Sequence, residues 1–200
     1  MDRNDDPTAA SACVNQPDAV IAEPAARLEI CPPRRLTRRA ELVANLPYAA
    51  MVLLGAAVFP VGLKANPWGW ISAGAYGAYG LAGALWVMVF ICPYCDFHGT
   101  RLCPCGYGRI AARLRPKKDG SSFARQFRRH IPVIVPLWVI PVIAGGIVLL
   151  REFTWTLLGL VLAFAVNSFA ILPLVSTKYS CARCPQKETC PWTGCRRSGK

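Results

Sequence analysis

Four long stretches of this 200-residue chain carry no charged side chain: Leu42 to Leu63, Ala65 to Cys95, Ile131 to Leu150 and Phe153 to Thr177. A bilayer core about 30 Å thick is crossed by about 20 apolar residues of helix, and each stretch is long enough. Inside lipid a helix satisfies all its own backbone polar groups, so helices are the expected form. The spans are expected near 45–63, 70–91, 131–150 and 153–175. The predicted fold is an all-α integral membrane protein, a four-helix transmembrane bundle made of two antiparallel helical hairpins.

Charge supplies the orientation. Of the 23 Lys and Arg residues, only Lys64 and Arg151 fall in the two short connections between paired spans. The rest precede the first span, follow the fourth, or lie between the second and third. Lys and Arg are retained on the cytoplasmic side, so both termini and the 92–130 loop are expected inside the cell, with the chain in the cell (inner) membrane. The net charge of +12 is explained by this bias, and no specific nucleic-acid binding is expected. The opening MDRNDDPTAA shows no apolar core before a small-residue cleavage site, so the first span is expected to direct insertion.

The chain therefore divides into a flexible cytoplasmic tail (1–41), a first transmembrane hairpin (42–91), a cysteine-rich basic loop (92–130), a second hairpin (131–177) and a cysteine-rich tail (178–200). The first tail is rich in Ala, Pro, Asp and Arg and too poor in large apolar groups to order itself. The segments Arg109 to Arg115 and Ser121 to His130 mix basic with apolar residues and are expected in the headgroup layer. In the second span, Ala73 with Gly77 and Gly80 with Ala84 form pairs of small residues that let another helix approach. In the third, Pro132, Pro136 and Pro141 each remove a backbone donor and predict a kinked helix. No Asp, Glu, Lys, Arg or His lies inside a span, which removes the usual marks of a proton path or voltage sensor. Asn167 and Ser168 are the main polar exceptions, suited to bonding a neighbouring helix or to lining a binding cavity.

Cysteine is the sharpest chemical signal. Cys92, Cys95, Cys103 and Cys105 follow the second span with the pattern C-x2-C-x7-C-x-C, and Gly99, Gly106 and Gly108 permit the tight turns this needs. Cys181, Cys184, Cys190 and Cys195 follow the fourth with C-x2-C-x5-C-x4-C. Cys13 and Cys31 stand apart in the first tail. Clustered cysteines in a reducing cytosol point to metal or redox chemistry more than to disulfides. Both sets are therefore candidate metal-binding segments on the cytoplasmic face. Four thiolates suit an iron–sulfur cluster, and the Cys-Pro steps at Cys92, Cys103, Cys184 and Cys190 favour that choice. Four thiolates equally suit tetrahedral zinc. His98 is a candidate replacement ligand, and Arg101, Arg109, Arg183, Arg196 and Arg197 are placed to offset thiolate charge.

The CPYC of Cys92 to Cys95 is similar to the glutaredoxin active-site motif, but it follows a membrane helix and not a strand. About four spans combined with cytoplasmic clusters is an architectural analogy to membrane polyferredoxins, whose C-x2-C-x2-C-x3-C-P run is absent here. The chain contains no hydrolase triad, phosphate-binding glycine loop or paired-carboxylate site, so a self-contained enzyme is not expected. The leading expectation is electron transfer through iron–sulfur clusters, as a redox subunit working with a cytosolic or membrane redox partner. A zinc-stiffened docking platform is the alternative. Soft-metal or thiol handling ranks third, because no cysteine lies within the spans to carry an ion across.

Overall fold

A computed structural model describes residues 38–100, 102–180, 184, 186 and 190–194. The first tail, with Cys13, Cys31 and Arg34, lies outside the described residues up to position 37. Among the described residues all regular structure is helical. Four helical stretches are long and apolar enough to cross a membrane: Arg38–Gly62, Pro67–Tyr94, Gly120–Arg151 and Trp155–Lys178.

The first stretch is one helix, α1 (Arg38–Gly62), which begins ahead of the uncharged run and takes in Arg38, Arg39 and Glu41. It ends in a tight reversal. Lys64 and Ala65 adopt left-handed backbone angles (φ 52° and 53°), and the Ala65 amide donates to Pro60 O. Asn66 then caps α2 (Pro67–Phe90), its side-chain oxygen accepting from the Gly69 amide at 2.9 Å, with Pro67 in the first turn where a missing donor costs nothing. Two short helices follow, α3 (Tyr107–Leu114) and α4 (Phe123–His130). The second hairpin is α5 (Pro136–Arg151) and α6 (Trp155–Val166), the latter continued by a π-helical turn over Asn167–Ile171, a short α7 (Leu172–Val175) and a further π-helical turn over Ser176–Ser180. Pro173 has no amide to donate, and wider π turns on either side of α7 accommodate it.

Helix α1 packs against α2, α5 and α6. The core is formed by Met51, Tyr76, Ile134, Leu137 and Phe164, with Val58, Leu157 and Val161 nearer the short connections. The outer surface is just as apolar: Leu81 is 71% exposed and Leu150 90%. In water such a surface would be costly, whereas against lipid it is the expected finish. Trp68, Trp70, Phe153 and Trp155 stand exposed beside the two short connections, where amphipathic rings favour the bilayer boundary. Lys64 and Glu152 form an ion pair linking those connections.

Two sequence expectations are refined by the packing. A Cβ at Gly80 would come within 2.8 Å of Val52, so α1 does approach α2 there, but nothing lies within 4 Å of Gly77. Small residues on α2 therefore serve helix packing on one face only. The prolines of the third span also divide. Pro132 lies in a 3-10 turn over Ile131–Val133, Pro136 begins α5, and only Pro141 is interior. The irregularity is concentrated before the helix, where Leu137 N and Trp138 N donate three residues back to Ile134 O and Val135 O. Pro141 leaves the Leu137 carbonyl without its helical donor, and the Tyr76 hydroxyl supplies one at 2.6 Å. The Tyr79 hydroxyl donates to Val133 O and that of Tyr48 to Gly80 O. Asn167 donates to Pro47 O on α1 at 2.9 Å, so this mid-span amide bonds a neighbouring helix.

Candidate metal centre at one end of the bundle

The first cysteine set is built directly on the end of α2. Ile91 caps that helix, and a 3-10 turn over Cys92–Tyr94 follows, closed by the Cys95 amide on Cys92 O. The chain then loops out and returns. Gly99 N donates to Gly108 O at 3.0 Å, which pinches the loop shut and sets Cys103 and Cys105 against the turn that carries Cys92 and Cys95. Gly106 takes a left-handed conformation (φ 72°) to start α3. Gly108 is required for a different reason: a Cβ there would stand 2.6 Å from Phe97 O. Its amide donates to the Cys103 sulfur at 3.3 Å.

The thiols lie close enough for each to oppose its neighbours' ionisation. Cys92 feels Cys103, Cys95 and Cys105. Cys95 feels Cys184 of the second set and Cys103 of its own. Burial pushes the Cys95 thiol up to about 11, offset in part by the Phe97 backbone amide, with Cys184, Cys103 and Asp96 adding to the rise. Burial also raises Cys184, offset by the Gln186 amide, with Cys190 and Asp96 opposing ionisation. Tyr107 is pushed up to about 12 by burial and by the neighbouring Cys105. Each of these groups resists becoming an anion chiefly because it is buried, and a bound metal cation would reverse that preference.

Cys92, Cys95, Cys103, Cys184 and Cys190 are free thiols, and these and Cys105 are partly buried. Among the described residues no three His, Cys, Asp or Glu side chains stand close enough to ligate one ion, so the backbone gathers the thiols without closing a coordination shell. Cys181 and Cys195 lie outside the described residues, as do Arg101, Arg183, Arg196 and Arg197. His98 is engaged elsewhere, with its Nε2 3.2 Å from Arg115 O. Arg109 does not face the thiols alone: its Nη2 donates to both carboxylate oxygens of Glu41 at 2.7 Å.

Sequence reasoning missed the residues that tie this end together. Asn45 on α1 donates to Cys105 O at 3.0 Å and to Glu41 O at 2.8 Å. With Arg38, Glu41, Leu42, Cys105 and Arg109 it lines a cavity of about 300 Å³. Asn45 and Glu41 lie at the start of a helix read only for its apolar content, and nothing local marks them as partners of a loop 60 residues away. Gln186 joins the C-terminal segment to the first set through Tyr94, Asp96 and Gly120. The short helix α8 (Pro191–Gly194) packs against α4 on the same side. No family model matches the chain, and no curated protein or solved structure is significantly similar to it.

Proposed function

We propose that this chain is a multi-pass protein of the cell membrane that carries two four-cysteine metal centres at its cytoplasmic face, and that these are iron–sulfur clusters passing electrons between a cytosolic donor and a membrane partner. Cys92, Cys95, Cys103 and Cys105 would hold one, and Cys181, Cys184, Cys190 and Cys195 the other. The observation that supports this most is that Gln186 bonds the backbone on both sides of Cys95, with Cys184 of the second set near Cys95 and Cys190 near Cys184. Neighbouring centres suit electron relay, whereas a docking platform has no need of thiol sets in electrostatic contact. The donor chemistry fits as well. Gly108 N reaches the Cys103 sulfur, and the Phe97 and Gln186 backbones ease the ionisation of Cys95 and Cys184. Amide hydrogen bonds to sulfur stabilise the thiolate and tune a cluster's potential. The chain's own residues bind, orient and screen; the electron chemistry would be the cluster's.

A second reading has its own support. The Phe97 and Gln186 backbones, each two residues beyond its cysteine, favour the Cys95 and Cys184 thiolates, which serves structural zinc equally well. Two zinc ions would stiffen this end into a docking platform for a partner protein. The test is anaerobic purification in detergent, with an absorption spectrum from roughly 300 to 700 nm and assays of iron, zinc and acid-labile sulfide on one sample. Broad absorption bleached by dithionite, with matching iron and sulfide, is expected. A colourless protein carrying zinc would replace the redox reading with the docking one.

A further inference from the structure

Gln186 is polar, yet only 8% exposed. Its side-chain oxygen accepts from the Asp96 amide at 3.4 Å, and its side-chain nitrogen donates to Tyr94 O at 3.1 Å and Gly120 O at 3.4 Å. Tyr94 and Asp96 flank Cys95. One amide side chain therefore grips the backbone on both sides of a first-set cysteine, using its acceptor on one and its donor on the other. A glutamine is suited to this because it offers both functions at one tip.

The receptor for that tip is ordered by further contacts. Lys118 N donates to Pro93 O at 2.8 Å, and the Lys118 ammonium lies 5.4 Å from the centre of the Tyr94 ring. Gly120 belongs here because a Cβ would sit 3.1 Å from the Gln186 nitrogen and 3.2 Å from an Asp96 carboxylate oxygen. Cys184 stands two residues before Gln186, at most about 7 Å along the chain. Docking Gln186 around Cys95 thus confines Cys184 to the same place. A plain packing role for Gln186 would call for its volume; the three polar contacts call for its amide.

We propose that Gln186 is a positioning residue that latches the C-terminal cysteine segment across Cys95, joining the two cysteine sets into one unit with Cys95 and Cys184 at the seam. The latch itself is independent of metal identity. Its consequence, that the seam is the route of electrons between the two centres, rests on the iron–sulfur reading above.

The full-length protein in detergent, reduced and stripped of metal, would be treated with the short bifunctional thiol reagent dibromobimane and its cross-linked peptides mapped by mass spectrometry. A Cys95–Cys184 product is expected in the wild type. Gln186→Met keeps the length and removes the hydrogen bonds, and is expected to lower that product about fivefold or more relative to Cys92–Cys95, the equivalent of about 1 kcal/mol. Normalising to a product within the first set separates a lost latch from general unfolding, which would alter both. Absence of the Cys95–Cys184 product in the wild type, or an unchanged ratio in Gln186→Met, would overturn the latch. A colourless protein that still gives the cross-link in a Gln186-dependent way would retain the latch and remove the electron route; iron and sulfide without the cross-link would do the opposite.

Discussion

Along the spans, helices meet through apolar side chains and a few polar contacts to backbone carbonyls, one of which, Leu137 O, a proline has freed. At the cysteine-bearing end, short turns are tied by backbone and amide hydrogen bonds around partly buried thiols. The first region is stable in lipid by composition, since almost any rotation of an apolar helix still satisfies its backbone. The second has little apolar area to bury, and its order depends on specific partners. Small polar regions of this kind commonly gain stability from a bound metal.

The largest expected effect follows from that contrast. On the proposed metal reading, stripping metal from the purified protein should loosen the 92–130 loop and the C-terminal segment, read as severalfold faster protease cleavage with the Gln186 contacts retained, while helical circular dichroism falls only slightly. Loss of most helicity would mean that the two regions fold as one and would break the comparison. Next in size is Gly108→Ala, which forces a Cβ against Phe97 O. It is expected to cost about 1–3 kcal/mol locally, read as lost metal content and faster cleavage of the loop. Gly77→Ala, with open space around it, should stay within about 0.5 kcal/mol of wild type in thermal unfolding.

In the bundle, Tyr76→Phe leaves the Leu137 carbonyl without the donor that replaces Pro141, and should lower stability by about 1 kcal/mol in detergent denaturation. A smaller effect distinguishes the metal-free cysteine end by pH. Cys95 holds its proton more tightly folded than unfolded, so its contribution is complete below its ordinary value of 9.0 and is lost as pH rises towards about 11. Thermal unfolding of the metal-free protein should therefore weaken across that alkaline window, and a Cys95→Ser variant should show less of the change.

How far the sequence could be read differs between the same two regions. The positions of the spans were legible because length and apolarity are local properties, and two short connections enforce antiparallel neighbours. The role of Gly80 was legible in kind, but its distinction from Gly77 was not, because that depends on how α2 is rotated against α1. The three prolines were read as one kinked helix, while the chain uses two of them at the starts of turns. At the candidate site eight cysteines were proposed from spacing, and six of them are among the described residues. Asn45, Glu41 and Gln186 could not be proposed that way, since each acts on residues between 60 and 92 positions away.

By itself the sequence determined four membrane-spanning helices, their hairpin connections and two cysteine sets next to span ends, because hydrophobic length and thiol spacing are written in consecutive residues. Only the tertiary structure decided which tyrosine repairs which carbonyl, that Asn167 bonds α1, and that Gln186 reaches both sides of Cys95. Those outcomes depend on the relative rotation and depth of packed helices, a long-range property to which no short stretch of chain responds.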